Sequence, residues 1–537
     1  MSVLARLVSV CRSAVPAPAP VVDYPFVASD VALYQRMVHG AAGVVDDQTW
    51  NDLMLAQYSE RLAPGTSIFG RQELYRRLQA RADSGLAACT ERLRMLVADD
   101  AARACLQAAC AGLRQADSEV SVTLFGPALA AAPRWVPLLG ALPLSFMAAI
   151  VLALLTGSML LWGVVLGLWL ALMAVQMRFH QAVADWQRQL GAIALMLRAH
   201  VLLAGLEQDT VAAPLRADAA AASKLNRRLW LMPLTAIPGL SEYGDWVLLR
   251  NVRHYFATRA VVAARLPLLR TSFTRVAAVE ADLALARHLA ATPRYCWSTR
   301  HAAPADGAVD CTGAGVRFAF EHAVHPLLDA PTPLSLRVGD DGRGAFLSGQ
   351  NGIGKSTLLR TVGLNLVTAR AFGFCYASAA VTPDVPVHAS MQNEDALEGG
   401  ESLYLAEVRR AGELLALARR GPAVFLIDEI FRGTNHLESV SASAAVLDTL
   451  ARAGCVLVSS HNLILAPLLA QRLAPLCVAR VAGMLQVAPG VLRHTNGLAL
   501  LAAIDADGML AAKAGRVYDM LADYYLTTPP ADAAVLD

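Results

Sequence analysis

The sequence predicts an α/β domain in the C-terminal half of the chain, preceded by a mostly α-helical region that carries a transmembrane helical hairpin. Three observations predict it. A glycine-rich loop, Gly349-Gln-Asn-Gly-Ile-Gly-Lys-Ser-Thr357, stands between a strand-like run and a helix start. A second apolar run, Ala423-Val-Phe-Leu-Ile427, ends in Asp428-Glu429. No residue from Trp135 to Met177 is charged, and Arg134 and Arg178 bracket that gap.

A chain of 537 residues is long for one core, so more than one domain is expected. The composition is 55% hydrophobic and 17% charged, apolar for a soluble protein, and the excess is concentrated in the uncharged stretch. A net charge of +2 gives no global argument for nucleic-acid binding. The nine cysteines form no C-x-x-C pair and no zinc spacing, which favours ordinary thiols in a reducing compartment. Residues 1–23 read as a disordered leader: Met1 to Pro20 carries Arg6 and Arg12 and no acid, and ends in Pro-Ala-Pro-Ala-Pro.

Residues 24–134 read as a helical core-like region. Asp46 or Asp47 starts one helix, with Asp or Thr as cap. Ile68 to Leu78 and Ala87 to Leu113 have apolar residues at helical spacing. Residues 135–177 are far too long for one span, since a bilayer core takes about 20 residues. They divide at Thr156-Gly-Ser158 into Val136–Leu155 and Met159–Gln176, each about one span. Both ends of such a hairpin lie on one side, and arginine at each end suits the cytoplasmic side. The expected lipid bilayer is therefore the inner or plasma membrane, with the C-terminal domain in the cytoplasm. Trp135, Trp162 and Trp169 suit either interfacial or packed positions.

Residues 178–300 read as a return of the helical region. His180 to Gln208 is helical in pattern, Asp209 to Ala222 reads as a connection, and Leu229 to Gly239 as a short kinked apolar segment. Asp245 to Ala290 reads as a long helix interrupted near Pro267. Its Arg250, Arg253, Arg259, Arg265, Arg270 and Arg275 meet no acid before Glu280. That stripe suits anionic lipid, nucleic-acid phosphate or a plain solvated face.

Residues 301–537 carry the chemistry. Val316 to Leu328 and Leu334 to Leu347 alternate like strands and lead into the glycine loop. Its G-x-x-x-x-G-K-S spacing is that of a phosphate-binding loop. Gly349, Gln350, Asn351, Gly352, Ile353, Gly354, Lys355, Ser356 and Thr357 form the cradle. Backbone N–H groups and the following helix N-terminus would meet phosphate oxygens. Lys355 would reach the β- and γ-phosphates, and Ser356 would offer its hydroxyl to Mg²⁺. Asp428, at the end of a buried parallel strand, would hold Mg²⁺ directly or through water, and Glu429 is the candidate general base for water. Cys455-Val-Leu-Val458 is a third strand, and Ser459-Ser-His461 puts His461 where it can sense a γ-phosphate.

These segments resemble the ATPase domain of the MutS family of DNA mismatch-repair proteins. The family's G-P-N-M-G-G-K-S-T is matched with Gln350 for Pro, its D-E-I-G-R-G-T with Phe431 for Gly, and its T-H by Ser460-His461. Gly400-Glu-Ser402-Leu-Tyr-Leu-Ala-Glu407 resembles its G-x-S-T-F-M-x-E, His325-Pro326 its H-P, and Asn496-Gly-Leu498 its closing Y-G-L. The resemblance implies an α/β P-loop NTPase domain of MutS/ABC-like type, ATP and Mg²⁺ as cofactors, and a homodimer through the ATPase domains. It also implies that Ser402 contacts the nucleotide held by the partner copy. Nothing resembles the family's N-terminal mismatch-reading domain.

The resemblance and the hairpin together lead to an expected membrane-anchored, dimeric MutS-like ATPase acting as a nucleotide switch. One alternative is a DNA-binding repair or recombination protein with an accessory anchor. Another is an ABC-type ATPase, suggested by Leu397-Glu-Gly-Gly400 and opposed by Ile-Phe-Arg-Gly-Thr after Asp428-Glu429.

Overall fold

The structure is a computed structural model that describes residues 23–40, 45–80, 85–230, 247–301, 316–391, 403–481, 484–492 and 509–526. The helices, in chain order, begin with α1 (Ala28–His39), α2 (Asp47–Asp52), α3 (Leu55–Leu62), α4 (Ile68–Gln79), α5 (Leu86–Ala98), α6 (Asp100–Cys110) and α7 (Ser121–Phe125). There follow α8 (Ala141–Thr156), α9 (Met159–Ala204), α10 (Asp209–Trp230), α11 (Arg250–Ala264) and α12 (Leu266–Ala290). The mixed part runs β1 (Cys296–Trp297), β2 (Thr299–His301), β3 (Phe318–Ala323), β4 (Leu334–Val338), β5 (Gly344–Gly349), α13 (Lys355–Phe372), β6 (Phe374–Cys375), β7 (Ala379–Pro383) and β8 (Val387–Ser390). It continues with α14 (Leu403–Ala418), β9 (Val424–Asp428), α15 (His436–Ala453), β10 (Cys455–Ser459), α16 (Leu465–Leu468), β11 (Leu473–Val481), β12 (Met484–Pro489) and α17 (Met509–Leu526).

The chain divides into two compact units. One takes Met1–Ala41, Leu62–Arg76 and Arg92–His288, and the other Ala42–Arg61, Arg77–Glu91 and Leu289–Asp537. The division is thus interleaved, where a linear reading places one boundary at 134 and another at 300.

In the helical unit the uncharged stretch forms two helices that break at Thr156-Gly-Ser158. Gly157 ends α8 in the left-handed region at φ 66°, a conformation open to glycine without a β-carbon penalty. The segments Val136–Thr156 and Met159–Ala204 are long and apolar enough to cross a membrane. Around the break their large apolar side chains are exposed: Leu154 is 68% exposed and Met159 and Leu160 are 86% exposed. At its foot the hairpin packs on α11, where Leu139, Phe146, Leu172 and Val183 meet Leu249, Val252 and Phe256. Trp135 packs there on Phe179 and Phe256, while Trp162 and Trp169 are exposed.

Two expectations change here. The helix does not stop with the expected span near Gln176, because no glycine or proline falls between Gly167 and Gly191, and α9 runs on as one 46-residue helix. Asp209 to Ala222 is helix, not connection: Val211, Ala212, Leu215, Ala222, Leu225 and Leu229 bury one stripe, and alanine fills the rest at little propensity cost. The break before Pro267 is found, with α12 beginning at Leu266. The segment 231–246 lies outside the described residues, as do 1–22, 302–315 and 493–508.

The mixed α/β unit is built on a six-stranded sheet of order β12-β11-β5-β10-β9-β8, parallel except for β12. β5 and β9 are buried at every residue, as expected of strands covered on both faces. A four-stranded sheet, β2-β7-β3-β4, lies in the same unit. The free edge of β8 is covered by the early segment around α2, which explains the interleaving. The Ala389 N–H donates to Thr49 Oγ1 at 2.8 Å and the Met391 N–H to Asp52 Oδ2 at 2.8 Å. Asp46 caps α2 by accepting from the Thr49 N–H at 3.0 Å, and pairs with Arg410 at 2.9 Å and His388 at 3.1 Å. Burial opposes ionisation of Asp46, but these partners hold its carboxyl well below the usual range. Asp52 has the opposite fate: burial outweighs its partners and pushes its carboxyl up to about 6.

Candidate functional site

Strand β10 lies between β5 and β9, so the three strands end side by side. Leu347, Ser459 and Asp428 lie abreast in adjacent strands. Beyond them the glycine loop, Ser460-His461 and Glu429 emerge at one edge, the carboxyl end of a parallel sheet, where ligands of such sheets bind. The sequence reading placed His461 at the end of a strand following the Asp-Glu strand. The topology inserts that strand between the loop and the carboxylates, which brings His461 to Glu429.

The loop turns through Gly352 at φ 74° and Gly354 at φ 106°, conformations a β-carbon would strain. Gly354 then opens α13, whose free N–H groups and dipole face the loop. Lys355 is buried, and its ammonium donates to the carbonyls of Gly349 at 2.8 Å and Gln350 at 3.2 Å. Burial lowers its pKa against the pull of Asp428 and Glu429. Ser356 is half-buried at the start of the helix, and Asn351 and Thr357 are exposed.

Asp428 is buried, and Ser459 Oγ donates to its Oδ1 at 2.7 Å, which fixes the carboxylate and engages one oxygen. Glu429 N–H donates to the Ser459 carbonyl at 2.9 Å. Its side chain lies 2.9 Å from His461 Nε2 through Oε1 and 3.2 Å from Arg432 Nε through Oε2. Burial opposes its ionisation, but His461, Arg432 and Lys355 together hold the carboxyl below its ordinary value. A carboxylate so held is ionised at neutral pH and can accept a proton. Ser459 and Arg432 are the residues that motif reading missed as site groups. The signals for them were a hydroxyl one position before Ser460-His461 and a cation three positions after the candidate base.

Glu429 at φ 59° and Phe431 at φ 56° both occupy the left-handed region without being glycine. For a side-chain-bearing residue that costs about 1–2 kcal/mol. Phe431 is nonetheless buried in the sheet's core and packs on Tyr404 with ring centroids 6.0 Å apart. Burying a phenylalanine contributes about 1.5–3 kcal/mol, so packing outweighs the strain. The same turn reaches α14 again through Glu407, which accepts from the Gly433 N–H at 3.3 Å and lies 3.9 Å from Arg432. Ser402, one residue before α14, lies outside the described residues.

Beside the loop a cavity of about 170 Å³ opens, lined by His325, Leu328, Thr332, Ile353, Thr357 and Arg480 among others. Burial and the nearby Arg360 push His325 down to about 4, leaving a neutral imidazole.

Residues 345–484 match the family model described as MutS domain V. Over 192 residues the chain is 30% identical to the DNA mismatch repair protein MSH3 of Mycosarcoma maydis, covering 35% of this chain and 16% of that protein. Over 142 residues it is 33% identical to the endonuclease MutS2 of Thermus thermophilus, covering 26% and 19%. Over 128 residues it is 34% identical to the DNA mismatch repair protein MutS of Thermotoga neapolitana, covering 24% and 16%. The chain thus spans less than a fifth of the length of these curated relatives.

Proposed function

The chain belongs to the MutS family through its domain V, and from that premise we propose that it is a membrane-anchored, Mg²⁺-dependent ATPase that works as a dimeric nucleotide switch. The observation that carries the hydrolytic part is the convergence of Lys355, Asp428, Glu429 and His461 at the ends of three adjacent strands. Backbone N–H groups of residues 349–357 cradle the phosphates, and Lys355 exchanges its loop carbonyls for phosphate oxygens. Glu429 accepts the proton of the attacking water, with His461 and Arg432 fixing its two oxygens. The cavity beside the loop takes the base and ribose.

The donor set fits a hard divalent cation: Ser356 offers a hydroxyl, and Asp428 keeps one carboxylate oxygen outside its bond to Ser459. Mg²⁺, when bound, supplies charge neutralisation at the phosphates. The residues of this chain position the nucleotide and move the proton.

Domain by domain, the reading is a leader over 1–23, a MutS core-like region over 24–134, the hairpin over 135–177, a lever-like return over 178–300 and the ATPase domain over 301–537. Support for the anchor is the apolar surface that α8 and α9 expose along the hairpin. α9 continues past Met177 for roughly 40 Å at 1.5 Å per residue, so the helix that crosses the bilayer also forms part of the helical unit. In the dimer, Ser402 of each copy contacts the other's nucleotide, ATP closes the pair, and hydrolysis reopens it. Arginine at both ends of the hairpin puts the ATPase domain in the cytoplasm.

A second reading, binding of mismatched or branched DNA, is favoured by the names of the relatives. One experiment separates the two: fractionation of the full-length protein, then ATPase assay with and without DNA. The anchor reading expects wild type in the membrane fraction, a variant lacking 135–177 in the soluble fraction, and turnover indifferent to DNA. Soluble wild type with DNA-stimulated turnover overturns it in favour of the second reading.

A further inference from the structure

We propose that the foot of the hairpin is a binding site for the anionic headgroup of a phospholipid, built by Arg134, Arg178 and Arg253 from three separate chain segments. The proposal rests on the membrane reading and names the ligand class at the point where the chain would leave the bilayer.

Four observations bring these arginines to one level. Trp135, next to Arg134, packs on Phe179 at 5.9 Å and on Phe256 at 5.8 Å. The Arg178 guanidinium sits over the Phe179 ring at 5.6 Å. The Arg253 guanidinium lies against Gly140, 3.7 Å from where a β-carbon would stand. The start of α11 is fixed to α9 at this depth by a paired amide contact, Asn251 Nδ2 to Gln176 Oε1 at 3.1 Å and Gln176 Nε2 to Asn251 Oδ1 at 3.3 Å. A cavity of about 340 Å³ opens there, lined by Gln176, Met177, His180 and Asn251.

Among the described residues these charges are unpaired. Arg134, Arg178 and Arg253 are exposed and have no ion-pair partner among the described residues. No acid occurs between Arg134 and Asp185, or between Arg250 and Glu280. Cations on an aromatic collar, just below an exposed apolar column, match the phosphate layer of a bilayer.

The same geometry argues against a nucleic-acid groove. The stripe from Arg250 to Arg275 is not one surface. Arg259 donates to the Tyr255 hydroxyl and stacks over Trp186, Arg270 donates to the Leu124 carbonyl over Phe125, and Arg275 pairs with Asp218 at 2.8 Å. Arg253, which has no such partner among the described residues, lies at the foot of the hairpin and not on a continuous track with them.

The test titrates full-length protein in neutral detergent micelles with short-chain phosphatidylglycerol or phosphatidylcholine, using glycerol phosphate and a DNA duplex as competitors. Wild type should prefer the anionic lipid. Arg178→Gln with Arg253→Gln should weaken its binding roughly thirtyfold, about fivefold for each cation near a phosphate surface, and leave the neutral lipid unchanged. Arg178→Lys with Arg253→Lys should keep the preference, which separates lost charge from lost fold. Equal affinity of wild type for both lipids overturns the proposal, as does a preference that survives the glutamine variants. Displacement of lipid by DNA, with the same variants weakening DNA binding, overturns it in favour of a polynucleotide. Resistance of wild type to alkaline carbonate extraction is read in parallel, so failure of the membrane reading is seen by itself.

Discussion

The strained turn after the Asp-Glu pair gives a prediction whose sign is unusual. Phe431→Ala and Phe431→Gly both delete a ring that is 3% exposed, and each should destabilise the mixed α/β unit by about 3–5 kcal/mol. They differ only in the backbone. At φ 56° alanine still bears the left-handed penalty of about 1–2 kcal/mol, which glycine escapes. Glycine's greater freedom in the unfolded chain takes back about 0.5–1 kcal/mol. The glycine variant should therefore be the more stable of the two by about 0.5–1 kcal/mol, reversing the ordinary order. Thermal unfolding followed by circular dichroism should show its midpoint about 2 °C above that of the alanine variant. An alanine variant as stable as the glycine variant, or more so, refutes the strain argument. Both variants lose the Tyr404 contact, so hydrolysis should fall in each even where ATP still binds.

Lys355→Ala removes the only ammonium in the loop and should weaken ATP binding by at least tenfold in equilibrium titration, since charge-assisted bonds contribute about 1.5–3 kcal/mol. Ser459→Ala frees Asp428 Oδ1 from its 2.7 Å donor and should raise the Mg²⁺ concentration for half-maximal turnover severalfold, with ATP affinity little changed. Asp52 is raised from 3.8 to about 6, so between those values the folded state holds the proton that the unfolded state has lost. Its contribution is therefore full below pH 3.8 and declines as pH rises to about 6, by up to about 3 kcal/mol. Asp52→Asn should remove that decline from denaturant unfolding measured between pH 4 and 7.

The site was legible because its chemistry is local in sequence. Nine consecutive residues make the glycine loop, and Asp428-Glu429 and His461 each close a buried apolar run. The hairpin was legible for the same reason, including its break at Gly157. What sequence left out depends on pairing across the fold. Nothing in the stretch 42–61 says that Thr49 and Asp52 cover the edge of β8, because that bond needs a strand hundreds of residues away. Arg259, Arg270 and Arg275 read as one stripe with their neighbours until packing gives each its own partner. The helix over Asp209–Trp230 was missed because its alanines mute the apolar contrast that marks a helical face.

The central claim is that Glu429 is the base of an ATP-hydrolysing site held between copies of this chain. Its most direct test is single-turnover hydrolysis by full-length Glu429→Gln, with ATP binding and oligomeric mass recorded on the same sample. The account predicts ATP bound about as tightly as by wild type, hydrolysis slowed by at least about a hundredfold, and dimers accumulating with ATP. Hydrolysis within twofold of wild type, or ATP bound by a monomer with no dimer formed, contradicts it.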